Sequence, residues 1–381
     1  MSAPDFSALT QLLQQRAAEE PGYSAQLAVY YRGELMVDTS VGEHLAGDGM
    51  TCVFSCTKGI GALVIGLLVQ DGLIDPQAPM SNYWPEFAAA GKGSLSVGQV
   101  LSHQAGLLGV PGGLPTQTLL DSAAHAKILA ELPPLWPLGQ GTLGYHAITM
   151  GVLMEELVRR VTGQELAEVY ERRIRRPLGV DVYLGNEPQG RYREVLPAQP
   201  TPGFTELDGF VDPFAPAGLA VNSASGFEVE TGRVFSWEQI ANSPRVRAAA
   251  PTSMGAVGTA RGLAGVYAAS FGPVPELGVR VPLFTEDTWT QVSREQSYGP
   301  DRCNGLTKSF ALGFAKPHAQ DDFGSVFAYG HAGANSSLSF ADPVHRLGFA
   351  YLPAYTESQR PVSTGVVLSK LARAAVLSAR A

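Results

Sequence analysis

Strand signals cluster towards the two ends of this chain, with period-two alternation at 25–37, while between them apolar residues recur mainly with helical spacing. That order limits the fold. Ala25, Leu27, Val29 and Tyr31 alternate, Arg32-Gly33 makes a turn, and Leu35 and Val37 resume the alternation, which predicts a β-hairpin. Strand signals return late: Phe310-Ala311-Leu312-Gly313-Phe314, then 325–329, 336–341 and 346–352, with Asp342-Pro343 as the turn before the last strand. Helical stripes flank both sets. Phe6, Leu9, Leu12 and Leu13 form one in 5–18, and Val366, Val367, Leu371 and Ala375 another in 362–380. The two ends are therefore expected to share one antiparallel sheet flanked by helices.

The middle reads differently. Residues 55–71 are a helix rich in Ile, Leu and Val, stopped by Gly72. From 96 to about 180 the pattern is mainly helical, with 146–162 ended by Gly163 and 164–176 stopped by Pro177. The stretch 197–226, rich in Pro, Gly, Asp and Ser, predicts a long surface loop, and a helical patch follows near 258–270. The expectation is an α+β fold of two domains. One, from 1–75 and 250–381, carries the sheet; the other, 76–249, is mostly helical; the active site lies in the cleft between them.

Composition excludes several functions. A 381-residue chain with 45% hydrophobic and 16% charged residues buries a large core rather than staying disordered. A net charge of −8 argues against a nucleic-acid partner. No window reaches the ~18 uninterrupted apolar residues of a membrane span. Cys52, Cys56 and Cys303 are odd in number, and neither a disulfide framework nor a zinc spacing is visible. With Met1-Ser2-Ala3-Pro4 lacking a basic and apolar leader, a cytoplasmic location is expected. No metal or cofactor is expected: no H-x-x-x-H and no P-loop occur. The one G-x-G-x-x-G, at Gly139, Gly141 and Gly144, follows prolines rather than a strand. The G-x-S-x-G elbow of α/β-hydrolases is absent.

Three elements can carry chemistry. Ser55-Cys56-Thr57-Lys58 opens a helix, which puts an amine one turn from a hydroxyl on the same face. Desolvation there lowers a lysine pKa, so that the neutral amine serves as a base, and the helix N-terminus favours an oxyanion. Tyr145, in Gly144-Tyr145-His146-Ala147, precedes the next long helix; cationic neighbours are expected to lower its pKa. Gly330-His331-Ala332-Gly333-Ala334 joins two strands, and the Ala334 N–H is placed to face that of Ser55 as a second oxyanion donor. Each element also has a plain reading: an N-cap serine, a packed tyrosine, a tight turn.

Together and in this order, the three elements resemble those of the serine β-lactamase and penicillin-binding-protein superfamily: Ser-x-x-K, a tyrosine motif, then [Lys/His/Trp]-x-Gly. Val100-Leu101-Ser102-His103-Gln104-Ala105-Gly106-Leu107 is similar to the family's LLTHTSGL segment, and Phe340-Ala341-Asp342-Pro343 follows the last element as it does there. Phe54 to Gly59 and Gly144 to Ala147 look most like the family VIII carboxylesterases. The resemblance implies a β-lactamase/transpeptidase-like fold and a serine hydrolase that cleaves small to medium carboxylic esters. Ser55 would be the acylated nucleophile, Lys58 and Tyr145 the general base and acid, and the Ser55 and Ala334 N–H groups the oxyanion hole. His331, Ala332, Gly333 and Ala147 would bind substrate. His331 stands where the family has a lysine and is expected to be partly charged at neutral pH; Ala147 stands where class C β-lactamases have an asparagine. His103 is read as structural. The alternatives are a β-lactamase or D-alanyl-D-alanine peptidase, an acyltransferase using the same acyl-enzyme, and a non-catalytic binding protein. The oligomer is open between monomer and dimer.

Overall fold

Five antiparallel strands form the main sheet, and their order explains why strand signals cluster at the chain ends. In the computed structural model, which describes residues 3–197, 212, 214–222, 236–355 and 362–380, β1 is Ala25–Tyr31 and β2 Glu34–Val41. Two-residue strands β3 (Thr51–Cys52), β4 (Val182–Tyr183) and β5 (Val257–Gly258) follow, then a hairpin of β6 (Ser297–Pro300) and β7 (Thr307–Phe310). The last three are β8 (Tyr329–Ala332), β9 (Leu338–Asp342) and β10 (Leu347–Pro353). The main sheet runs β2-β1-β10-β9-β8. The five longest helices among the described residues are α1 (Ser7–Glu19), α2 (Cys56–Gln70), α3 (Thr149–Thr162), α4 (Ala260–Phe271) and α5 (Thr364–Arg380).

β1 pairs along its whole length with β10, from Ala25 opposite Pro353 to Tyr31 opposite Leu347. Every residue of both strands is buried, so both faces of the sheet are covered. The two-residue period sends alternate side chains to two cores. Leu27, Val29, Phe349 and Tyr351 pack with Leu9 and Leu13 of α1 and Leu368 and Val376 of α5. Ala28, Tyr30, Ala350 and Leu352 belong to the second core, with Leu263, Val266 and Tyr267 of α4. Gly348 sets the spacing: a Cβ there would stand 2.6 Å from the Ala264 carbonyl oxygen, so α4 rests on the backbone of β10.

α2 is buried from Cys56 to Val69, as a helix apolar on all sides must be. Its N-terminus is fixed by the small sheet β3-β5-β4 and by the Val53 N–H, which donates to Ala256 at 3.0 Å. Phe54 then takes φ +47°, a left-handed conformation uncommon for a non-glycine residue, and turns the chain into α2.

Several boundaries differ from expectation, each for a local reason. The segment 310–314 is not one strand: β7 ends at Phe310, and Gly313 at φ +78° turns the chain back. The expected strand 325–329 starts only at Tyr329, because Ser325 is tied by its N–H and hydroxyl to Asp342 in a turn. Gly330-His331-Ala332 is therefore not a connection; it lies within edge strand β8. α3 begins at Thr149 rather than 146, because His146 is held in the preceding loop. The chain after Glu165 passes through a short helix and a π turn, continues past Pro177 to Leu178 and stops at Gly179, φ +61°. Within 197–226, Pro216–Asn222 is helical; most of the remaining positions lie outside the described residues. No helix among the described residues is long and apolar enough to cross a membrane.

Gly348→Val places a branched side chain against α4. It is expected to destabilise the protein by about 2 kcal/mol or more through overpacking, read as a lower urea midpoint at unchanged m-value.

Candidate active site

The cleft is assembled around one buried amine. Lys58 sits one turn into α2, on the same face as Ser55, and has no exposed surface. Its Nζ donates to Ser55 Oγ at 3.1 Å, to the Ala147 carbonyl at 2.7 Å and to the Ser253 carbonyl at 2.7 Å. Burial pushes its pKa down to about 7. The three acceptors explain how either protonation state fits. The ammonium uses all three donors, while the neutral amine keeps two for the carbonyls and turns its lone pair to the Ser55 hydroxyl.

Tyr145 faces the same amine, with Lys58 Nζ 5.1 Å from its ring centre. The expectation of a lowered phenol pKa is overturned: burial raises it, and the Ser55 hydroxyl beside it opposes the rise only in part. At neutral pH Tyr145 is therefore a proton donor rather than a phenolate. The loop that carries it is gripped from several sides. The Tyr145 and Cys303 N–H groups both donate to Asp301 Oδ1 at 2.9 Å. His146 donates its N–H to His103 Nδ1 at 3.0 Å, its Nδ1–H to Gly144 O at 2.7 Å, and accepts the Leu107 N–H on Nε2 at 3.1 Å. His103 is buried against the rings of Tyr145 and Phe310, with centroids 4.9 and 4.1 Å away. Its Nδ1 is occupied by a backbone N–H, so it braces the loop.

His331 lies on β8, whose carbonyl at that residue accepts the Cys56 thiol at 3.1 Å. Burial first, then the nearby Lys58, push its pKa down to about 3, so the expected partial charge is corrected to a neutral ring. Its Nδ1–H donates to Ala332 O at 2.7 Å. The turn after β8 presses on the approach to Ser55: a Cβ on Gly333 would stand 2.2 Å from Ser337 Oγ and 2.9 Å from the Val53 carbonyl oxygen. The Ser55 and Ala334 N–H groups have no protein acceptor among the described residues.

These parts surround a cavity of about 270 Å³, lined by Ser55, Tyr145, Ala147, His331, Ala332, Gly333 and Ala334 among others. All the residues singled out from the sequence thus come together, with Lys58 just behind Ser55. Ser253 and Asp301 belong to the site without a sequence signal. Ser253 acts through its backbone carbonyl, and Asp301 holds another residue's backbone N–H, so neither leaves a motif. Among the described residues no group of three His, Cys, Asp or Glu side chains is placed to hold a metal ion.

Comparison with known proteins gives the relatives of the whole chain. The chain matches the Beta-lactamase family over residues 9–370. It is 33% identical over 338 residues to the Esterase/beta-lactamase LipL of Mycobacterium tuberculosis, covering 85% of this chain and 75% of that protein. The structure of EstA from Arthrobacter nitroguajacolicus Rue61a superposes with a TM-score of 0.91 at 42% identity, covering 100% of this chain and 98% of the other. A family VIII carboxylesterase superposes with a TM-score of 0.83 at 27% identity, covering 98% and 99%.

The reactivity of Ser55 should follow the free amine. The rate of phosphonylation by a fluorophosphonate is expected to rise with pH through a midpoint near 7, the value to which burial brings Lys58, and to level off above it, because below it Lys58 is an ammonium with no lone pair. A pH-independent rate between 5 and 9 would remove Lys58 as the base.

Proposed function

The chain belongs to the Beta-lactamase family, and from its cleft we propose that it is a carboxylesterase acting on small to medium esters through an acyl-enzyme on Ser55. The observation that carries the reading is the Lys58 amine, anchored by the Ala147 and Ser253 carbonyls so that its third position meets Ser55 Oγ. Lys58 takes the Ser55 proton as Oγ attacks the ester carbonyl. The Ser55 and Ala334 N–H groups hold the oxyanion. The C–O bond to the alcohol then breaks, and the proton reaches the leaving oxygen through the Tyr145 hydroxyl. Water, deprotonated by the same pair, attacks the acyl carbonyl; the bond to Ser55 Oγ then breaks, the carboxylic acid leaves, and the pair returns the proton to Oγ.

The cavity supports an ester of modest size, since about 270 Å³ lies near the lower end of the roughly 300–1,000 Å³ typical of small-ligand pockets. The substrate-contacting wall is assigned to His331, Ala332, Gly333 and Ala147. We assign residues 76–249 to the helical domain and the rest to the sheet domain, with the cavity drawing on both. Three unpaired cysteines fit a reducing, cytoplasmic setting. The name of the M. tuberculosis relative also includes β-lactamase, which makes lactam hydrolysis the second reading.

Ser55→Ala is expected to abolish ester hydrolysis and covalent labelling together. Lys58→Ala and Tyr145→Phe should each cost about 10²–10⁴ in kcat, with the double variant far short of the product of the two, because the groups act as a unit. Steady-state kinetics on p-nitrophenyl butyrate test this; near-native turnover in either single variant removes that residue from the mechanism.

β-Lactams separate the two readings. A neutral His331 offers no cation to the lactam carboxylate, and Ala147 offers a methyl group where an amide would hold the acylamino arm. Losing one charge-assisted contact and one hydrogen bond costs roughly 2–4 kcal/mol. p-Nitrophenyl acetate or butyrate should therefore exceed a chromogenic cephalosporin by at least about 10² in kcat/KM. A better cephalosporin would establish the lactamase reading instead.

A further inference from the structure

The cavity has two chemically distinct parts. Phe54, Ile148 and Met254, with Trp237 packed against them, form an apolar part. Lys308, His318 and Asp321 form a polar one. Lys308 and Phe310 point to the same face of β7, and the Phe310 ring is stacked on Tyr145 at 6.1 Å. Lys308 is near enough to His331 to lower its pKa, and the His331 ring lies 6.1 Å from that of Tyr145, the group assigned above to protonate the leaving alcohol.

That polar part is charge-paired. Lys308 Nζ donates to Asp321 Oδ2 at 3.1 Å, and His318 Nε2 reaches the same oxygen at 3.2 Å. Burial works against the Asp321 carboxylate, but His318 and Lys308 outweigh it and hold its pKa well below the usual range. The other ionisable groups of the wall are engaged elsewhere. Lys316 donates to the Val326 and Ala328 carbonyls, both at 2.7 Å, and Asp301 holds the Tyr145 loop. Two lysines, Lys308 and Lys316, and two aspartates, Asp301 and Asp321, thus share this wall. Lys308 and Asp321 nonetheless keep 23% and 35% of their side chains exposed, so both are reachable.

An anion entering here meets Lys308 with Asp321 beside it, and a cation meets the reverse. An uncharged hydroxyl satisfies both, accepting from Lys308 and donating to Asp321. We infer that Lys308 and Asp321 form a subsite for a neutral, hydroxyl-bearing alcohol portion of the substrate, as in the monoester of a diol or of glycerol. The inference rests on the ester-hydrolase reading above and narrows it.

The test compares kcat/KM for four butyrates that differ only in the alcohol: propyl, 2-hydroxyethyl, carboxymethyl and 2-(trimethylammonio)ethyl. The 2-hydroxyethyl ester is expected to lead the propyl ester by roughly tenfold and to lead both charged esters. Lys308→Met and Asp321→Ala, each checked by thermal melting, should bring the hydroxyethyl-to-propyl ratio close to one. A wild-type ratio near one, a ratio unmoved in both folded variants, or preference for either charged ester overturns the subsite. If the wild type cleaves none of the four and Ser55 also resists a fluorophosphonate, the ester-hydrolase reading itself fails and the subsite falls with it.

Discussion

The burial of one amine organises this molecule. Lys58 reaches Ser55 within its own helix, Ala147 in the tyrosine loop and Ser253 before β5. Three stretches far apart in the chain must be in register before that nitrogen is satisfied. An unmet acceptor or donor at such a depth costs several times what an exposed one does. The same burial that forces this convergence also brings the amine to about 7. Structural specificity and base strength therefore have a single physical cause here, and neither can be relaxed without the other.

Much of this was legible in the sequence, and what was not has a common explanation. Strand signals at 25–37 and 346–352 predict the paired strands, and because both faces of β1 and β10 are covered their apolar residues run on without a polar face. Ser55, Lys58 and Tyr145 are visible because the chemistry proposed for them depends on side chains. The misplaced strand at 325–329 shows the limit. Val326 and Phe327 look strand-like, yet both are exposed, since the tie between Ser325 and Asp342 fixes a turn that only the far side of the hairpin can supply. The protonation states of Tyr145 and His331 were hidden for a related reason. Desolvation is set by what packs around a ring, and motif spacing carries no record of it.

The tyrosine loop illustrates how the side chain proposed to move the proton is held through its backbone. Asp301, His103 and His146 bind backbone groups and leave the phenol to face the serine. Such bracing depends on side-chain length and polarity more than on reactivity. It tolerates little drift in position, because productive geometry is lost within about an ångström.

The pairing of β1 with β10 has a consequence for biosynthesis. Leu27 finds its partner Tyr351 more than 300 residues later. At about 5–20 residues per second, the ribosome leaves the β1 edge without that partner for roughly a quarter of a minute to a minute. During that interval the nascent chain displays the apolar hairpin face that α5 will eventually cover. The last strand and helix to be made are thus the ones that close the sheet, and a ribosome that stalls late releases a nearly full-length polypeptide whose first hairpin is still an open template for aggregation.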